Sequence, residues 1–329
     1  MTQTRIGLIG LGAYVPERIM TNDEWAQLID TSDEWITTRT GIKRRRLAAD
    51  NENTADLATF AAERALADAG LIPDQIDEII VASDTPEVYT PDTASFVQHR
   101  LGASEIPTYD LAGSGCAGFV LGLDIARSRV GVGDRRVLVI GVELLTRLMS
   151  WRDRNTCVLF GDAAGAAVVG AGAGAAEIVA ATAGTDGSRG HILTAEVGGT
   201  RAPFNVERAR QLLHQWIVMK GREVFKEATT RMSAAAKEVL TQAGLDVDDV
   251  ALVIPHQANL RIIQATGKAL GVPAEKVYVN VQEYGNTGSA SVPLALWEAR
   301  QQGRIAVGDL VLLTSFGAGF HWAAMLLRF

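Results

Sequence analysis

The stretch Ala69-Gly70-Leu71, followed by Asp74-Gln75-Ile76 and the apolar run Glu78-Ile79-Ile80-Val81-Ala82, returns later in the chain. Its second copy is Ala243-Gly244-Leu245, Asp248-Asp249-Val250 and the run Val250-Ala251-Leu252-Val253-Ile254, an offset of 174 (243 − 69). Another pair agrees with it. Val132-Gly133-Asp134 precedes Arg136-Val137-Leu138-Val139-Ile140, and Val307-Gly308-Asp309 precedes Asp309-Leu310-Val311-Leu312-Leu313, an offset of 175 (308 − 133). The apolar runs read as buried strands. Residues 55–69 and 225–243 carry apolar and small side chains at helical spacing, and each stretch stops at a glycine, Gly70 or Gly244, suited to a left-handed C-cap. Alternating strands and helices give an α/β fold class. A period this long is no solenoid, so the chain reads as two duplicated α/β halves, 1–175 and 176–329, packed about a pseudo-twofold axis. The Gly/Ala-rich residues 163–181 cover the join; their small side chains are expected to let sheet and helix approach closely.

The 329 residues suffice for a full core, and 47% hydrophobic with 21% charged residues fits a globular protein rather than a disordered or fibrous one. With 31 Lys+Arg against 38 Asp+Glu the net charge is −7. That gives no general attraction to nucleic acid or to an anionic membrane, so neither is an expected partner and any basic site is local. No apolar run reaches the length of a membrane span, and Met1 to Arg5 lead straight into a strand pattern without a signal peptide's apolar stretch. Two cysteines, Cys116 and Cys157, make neither a disulfide framework nor a metal-type spacing. A cytoplasmic protein without a metal is the expectation. Gly7-x-x-Gly10-x-Gly12 lacks the order of a dinucleotide fingerprint, so no permanently bound cofactor is expected.

Four stretches could carry chemistry. In Asp110-Leu111-Ala112-Gly113-Ser114-Gly115-Cys116-Ala117-Gly118-Phe119 a glycine-rich turn enters a helical pattern, where backbone N–H groups and the helix dipole stabilise a thiolate nucleophile. The other reading of Cys116 is a small buried hydrophobe. Ser114 is not a hydrolase elbow, because Ala112 and Cys116 stand where that pattern needs glycines. His256, in Pro255-His256-Gln257-Ala258-Asn259, follows a buried strand at the end where α/β proteins place their sites. His99, His191, His214 and His321 lack such a setting. Asn286, in Tyr284-Gly285-Asn286-Thr287-Gly288-Ser289, lies in the repeat counterpart of the Cys116 turn, with Ser289 near the place of Cys116. A pseudo-twofold axis would bring Asn286 and Cys116 together. Finally, in Thr314-Ser315-Phe316-Gly317-Ala318-Gly319-Phe320 a strand breaks into a loop whose N–H groups either hold an oxyanion or make a tight turn.

Taken together, these four motifs, with Thr31-Ser32-Asp33-Glu34-Trp35-Ile36 near the start, resemble the beta-ketoacyl-acyl-carrier-protein synthase III family over essentially the whole chain. The resemblance implies a thiolase fold, two duplicated halves in a layered α-β-α-β-α arrangement. It also implies a homodimer that condenses an acyl-CoA primer with malonyl-acyl carrier protein to initiate fatty acid biosynthesis. On that pattern Cys116 carries the acyl group, and His256 and Asn286 hydrogen-bond the malonyl thioester. The N–H groups of Cys116 and Ala318 form the oxyanion hole, and Phe316 shields the cysteine from water. Elongating synthases resemble Cys-His-His sites, hydroxymethylglutaryl-CoA synthases add a Glu acid/base, and plant-type polyketide synthases are longer. A specialised condensing enzyme of polyketide metabolism, and a non-catalytic acyl-CoA-binding protein, are the alternatives.

The same resemblance places Trp35 and Arg154 around the CoA adenine and Arg39, Lys43 and Arg261 near its phosphates or the tunnel mouth. Lys226, Arg261 and Lys268 become candidates for docking the acidic carrier protein. Arg44-Arg45-Arg46 reads as a solvated basic face, and Cys157 as a buried structural residue. Two departures stand out. Asp110 lies six residues before the cysteine where the family has five, an extra residue in the turn. Thr90, before Pro91, stands where acetyl-using members often carry a Phe that closes the primer pocket across the dimer, so longer primers are expected.

Overall fold

The computed structural model describes residues 5–133, 135–172, 176–211 and 216–329. Nine strands form one sheet, in the order Leu252–Pro255, Leu310–Gly317, His321–Arg328, Ala176–Thr185, Ile6–Tyr14, Asp162–Ala171, Val137–Leu144, Glu78–Ser83 and Thr108–Ala112. Strands from residue 176 onward occupy one side of this order and strands before residue 172 the other. Pairing repeats between the two sides. Glu78–Ser83 runs parallel to Val137–Leu144 with Ile79 opposite Leu138, and Leu252–Pro255 runs parallel to Leu310–Gly317 with Leu252 opposite Val311. Both partners shift by 173 (252 − 79 and 311 − 138), so the duplication visible in sequence extends to strand register. Each parallel pair then continues into an antiparallel strand, Asp162–Ala171 or His321–Arg328.

Helices occupy three levels around these strands. Thr54–Ala69 covers the outer face of the first group, and Gly221–Ala243 covers that of the second. Between the groups, Gly118–Gly131 and Ser291–Gln301 touch strands of both halves. The result is the expected α-β-α-β-α layering. Both outer helices end at the glycines read from sequence, Gly70 at φ +66° and Gly244 at φ +67°. The central layer buries Leu123, Val139, Leu296, Leu313 and Met325. Each such side chain contributes about 1.5–3 kcal/mol as an upper estimate from apolar burial.

The Gly/Ala-rich join is packed structure. It forms the strands Asp162–Ala171 and Ala176–Thr185, and a side chain at Gly165 would meet Pro293 of a central helix at 2.7 Å. Residues 173–175, where the two halves were divided, lie outside the described residues, as do Asp134 and His214. One expectation is overturned at Arg44-Arg45-Arg46. These residues form the strand Arg44–Leu47, and strand alternation turns Arg45 inward. Its guanidinium is buried, donating to Asn22 Oδ1 at 2.8 Å and to Val158 O at 2.5 Å, and burial pulls it down to about 10. Cys157 is buried as expected, its thiol pushed up to about 12 by burial. Among the described residues no helix is long and apolar enough to cross a membrane.

Candidate active site

Cys116 sits in the tight turn Gly115–Ala117, directly before the central helix Gly118–Gly131. Asp110 accepts the Thr93 and Ala94 N–H groups at 2.7 and 2.9 Å, so the strand before the turn stays anchored. Ala112 and Gly113 then bulge outward with Gly113 at φ +69°, Ser114 Oγ donates to Leu111 O at 2.7 Å, and the Gly115 N–H donates to Asp84 Oδ1 at 3.2 Å. Glycines let this turn press against the loop at Ala318. A Cβ on Gly115 would meet Ala318 N at 2.4 Å, and one on Gly317 would meet Cys116 N at 2.3 Å. The Cys116 and Ala318 N–H groups thereby come from backbones in direct contact. The expected thiolate is not what the surroundings favour. Burial first, and then the nearby Asp84 carboxyl, push the Cys116 thiol up, outweighing the opposing pull of its own N–H.

His256 follows the strand Leu252–Pro255, and its N–H donates to Thr314 O at 2.8 Å. The ring is 3% exposed, and burial holds it down to about 3, so it is neutral near pH 7. Its Nδ1 lies 2.6 Å from Ser291 Oγ, which also receives a long 3.5 Å contact from the Gln257 N–H. Among the described residues Ser291 Oγ has no other acceptor for its proton, which therefore goes to Nδ1 and leaves Nε2–H as a donor. Asn286 is locked in the same sense. Its backbone bridges to Leu159 and Gly161, and Oδ1 accepts the Gly288 N–H at 2.9 Å, so Nδ2 is the group left to donate. Sequence pattern gave no sign of Ser291, which lies 35 residues from His256 and meets it only through the fold.

Cys116, His256, Asn286, Phe316 and Ala318 all line one cavity of about 1940 Å³. This exceeds the roughly 300–1,000 Å³ usual for small ligands and suits a long substrate. Phe316 is buried and meets Phe320 edge-on at 5.0 Å. Trp35, Arg39 and Arg261 line the same cavity. Arg39 and Arg154 both stack on the Trp35 ring, at 4.4 and 5.1 Å, with Arg154 held by Asp30. Arg154 thus contacts Trp35 directly rather than standing apart from it. Lys43 is not brought to this cavity; it borders a separate small recess with Asp23, Asp33, Arg44 and Glu283. Lys226 and Lys268 are exposed on the helices Gly221–Ala243 and Leu260–Leu270, and Thr90 is exposed on a loop outside the cavity. Asp84 and Glu143, which sequence reading passed over, also line the cavity. The one sequence signal is that of Glu143, a lone carboxylate near the end of the otherwise apolar strand Val137–Leu144.

Residues 109–187 match the family model described as 3-oxoacyl-[acyl-carrier-protein (ACP)] synthase III, and residues 240–329 match the model of its C-terminal part. A beta-ketoacyl-[acyl-carrier-protein] synthase III from Caldanaerobacter subterraneus subsp. tengcongensis is 49% identical over 98% of this chain and 97% of its own. The chain belongs to the beta-ketoacyl-acyl-carrier-protein synthase III family. It therefore has the thiolase fold of that family and is an acyltransferase of the condensing type. The 3-oxoacyl-[acyl-carrier-protein] synthase III of Aquifex aeolicus superposes with a TM-score of 0.90 at 45% identity, covering 99% of this chain and 100% of that one. The priming beta-ketosynthase of the R1128 polyketide pathway also gives 0.90, at 37% identity, over 100% of this chain and 97% of its own.

Proposed function

We propose that this synthase III-family enzyme starts fatty acid biosynthesis by joining an acyl-CoA primer to malonyl-acyl carrier protein, with Cys116, His256 and Asn286 as its catalytic residues. One observation carries the reading: a cysteine, a neutral histidine and an asparagine, the last two fixed as donors, line one cavity. Cys116 Sγ attacks the primer's thioester carbonyl, and the N–H groups of Cys116 and Ala318 take the oxyanion. The bond to CoA sulfur then breaks, and CoA leaves with the proton given up by the thiol. Malonyl-carrier next loses CO₂; the electrons of the broken C–C bond form an enolate whose oxygen accepts from His256 Nε2–H and Asn286 Nδ2–H. Preorganised donors matter most where such charge develops. The enolate carbon attacks the acyl-cysteine, the new C–C bond forms, and the Cys116 sulfur leaves and is reprotonated. Phe316 keeps water from the acyl-enzyme.

Binding follows the same reading. Trp35, Arg39, Arg154 and Arg261 are assigned to CoA, with Lys43 the weakest member because it borders another recess. Lys226, Arg261 and Lys268 are assigned to carrier docking; all three are exposed on adjacent helices, and Arg261 lies over the Phe225 ring at 6.0 Å. The chemistry requires no bound cofactor or metal. A cytoplasmic homodimer is proposed, supported by the edge position of strand Thr108–Ala112 and the exposed neighbouring Thr90 loop. The division into halves 1–175 and 176–329 is proposed on the repeated strand register. Intact-protein mass spectrometry with acetyl-, butyryl-, octanoyl- and longer acyl-CoAs, with Cys116→Ala as control, tests the reading. An adduct that needs Cys116 and disappears as ketoacyl-carrier forms is expected. An adduct that persists after malonyl-carrier is added points to a specialised transferase, and no adduct with any primer points to an acyl-CoA-binding protein.

A further inference from the structure

Two carboxyl groups beside the nucleophile have no part in the condensation. Glu143 is 1% exposed, and Asp84 sits on the loop after strand Glu78–Ser83. Together they reach both duplicated turns. Asp84 Oδ1 accepts the Gly115 N–H one residue before Cys116, and the Asp84 N–H donates to the Glu143 oxygens at 3.1 and 3.2 Å. Glu143 Oε1 lies 3.0 Å from Ser289 Oγ in the turn after Asn286, and Thr85 Oγ1 donates to Oε2 at 2.9 Å. The contact is close enough that a Cβ on Gly288 would meet Glu143 Cγ at 2.5 Å.

The hydrogen-bond geometry around Ser289 bears on the state of Glu143. Ser289 Oγ has one hydrogen and lies 2.8 Å from Ala82 O, which can only accept. Assigning that hydrogen to Ala82, the shorter of the two contacts, leaves the Ser289–Glu143 contact at 3.0 Å to be bridged by a proton on Glu143. Thr85 raises no conflict, since it accepts the Leu144 N–H at 2.9 Å and keeps its own proton for Oε2. Burial and the neighbouring Asp84 push the Glu143 carboxyl well above the usual range against the pull of its hydrogen bonds to the Asp84 N–H, Thr85 and Ser289; burial raises Asp84 too, while the Gly115 and Gly113 N–H groups pull it down. Cys116 is the other titratable group at this point. Glu87, further along the loop, turns away to the Ala55 N–H and Arg100. Among the described residues no basic side chain hydrogen-bonds or ion-pairs with Asp84 or Glu143.

We propose that Glu143 is a neutral carboxylic acid that clips the Asn286 turn, through Ser289, to the Asp84 loop that carries the Cys116 turn, leaving Asp84 as the one negative charge beside the nucleophile. Glu143 is then a positioning residue acting through Ser289 and Asp84. The inference deepens the proposed condensation and rests on it for the activity measurement alone.

Alkylation of Cys116 by iodoacetamide, followed against pH by mass spectrometry, needs no substrate and reads the charge directly. Glu143→Gln keeps the shape, offers an N–H to Ser289 and is uncharged like the acid, so its alkylation midpoint stays within about 0.2 units of wild type. Asp84→Asn removes the charge, and below the midpoint alkylation rises about threefold, half a unit where one unit is tenfold in thiolate. A Glu143→Gln midpoint that falls as far as that of Asp84→Asn overturns the neutral acid. An unmoved Asp84→Asn midpoint overturns the charge on Asp84. Should the variants misfold, the infrared spectrum of the wild-type protein at about pH 8 shows the carbonyl stretch of a protonated carboxyl; its absence also overturns the proposal. In the condensation assay Glu143→Leu loses about tenfold in malonyl-dependent turnover and Glu143→Gln recovers most of it, whereas equal losses refute the clip. A wild-type enzyme that alkylates as expected yet does not condense would refute the proposed reaction and leave Glu143 as assigned.

Discussion

Gly115-Cys116-Ala117 and Gly288-Ser289-Ala290 are one turn used twice. Each begins on a glycine in the left-handed region, at φ +57° and +55°, and each feeds a central helix, Gly118–Gly131 or Ser291–Gln301. Their middle residues have opposite surroundings. Cys116 lines the cavity and is half-buried, whereas Ser289 is 0% exposed and bonded to Ala82 and Glu143. The difference comes from what each turn meets. Strand Leu310–Gly317 brings Phe316 and Gly317 to the first turn, a flat ring and a bare backbone that leave space for a substrate. Strand Val137–Leu144 brings Glu143 to the second and fills that space with a hydrogen-bonded carboxyl. Duplication supplied two equivalent positions, of which one opens on the cavity while its twin is closed by hydrogen bonds.

The strongest way to break this comparison is to move the nucleophile. Cys116→Ala abolishes the acyl-enzyme, a loss of at least about 10³-fold, and adding Ser289→Cys does not restore it because position 289 is closed to acyl-CoA. An adduct on position 289 in the double variant, seen by peptide mass spectrometry, would make the two turns functionally equivalent. Next in size, Asn286→Ala and His256→Ala each lower malonyl decarboxylation by about 10²–10³-fold, while Cys116 acylation changes only a few-fold. Normal decarboxylation in either variant would remove that residue from the enolate site.

Smaller effects test the closed turn. Ser289→Ala leaves Ala82 O and Glu143 short of a partner and costs about 1–3 kcal/mol, read as a lower urea midpoint with little change in Cys116 acylation. A comparable loss of acylation with unchanged stability would reverse the roles. The histidine held by the second helix supplies a pH test. His256 titrates near 6.5 in the unfolded chain and at about 3 in the fold, so acid protonates the unfolded chain first. Stability therefore declines as pH drops below about 6.5, by about 2 kcal/mol at pH 5 from this group. Asp162, held up to about 6 by burial, works in the opposite direction between about 4 and 6. The difference between wild type and His256→Asn in urea unfolding isolates the histidine, and a pH-independent difference would contradict its neutral burial. The smallest effect lies outside both turns. Thr90→Phe lowers use of longer primers several-fold while acetyl use is kept, and because Thr90 is exposed in one chain this requires a second subunit. Loss of acetyl use with long-chain use intact would contradict steric control of primer length.

Much of this molecule was readable before any coordinates. Helix, αL glycine and buried strand at a constant offset gave the duplicated halves, because a helix end and a buried strand are set by residues close together in the chain. Cys116, His256 and Asn286 were candidates from local patterns of glycine turn, strand end or loop, which the family resemblance joined into one site, and the fold lines one cavity with all three. What the sequence left out depends on contacts between distant segments. Nothing near Arg45 shows that its strand turns it into the core against Asn22 and Val158. Nothing near His256 shows that Ser291 will fix its tautomer. The thiolate read from the Cys116 turn gave way to a thiol because the fold buries the sulfur and brings Asp84 in from another segment, and a protonation state depends on every charge and every buried surface around the group. Local sequence determined which residues could react; only the packed fold decided their hydrogen-bond partners and where their protons sit.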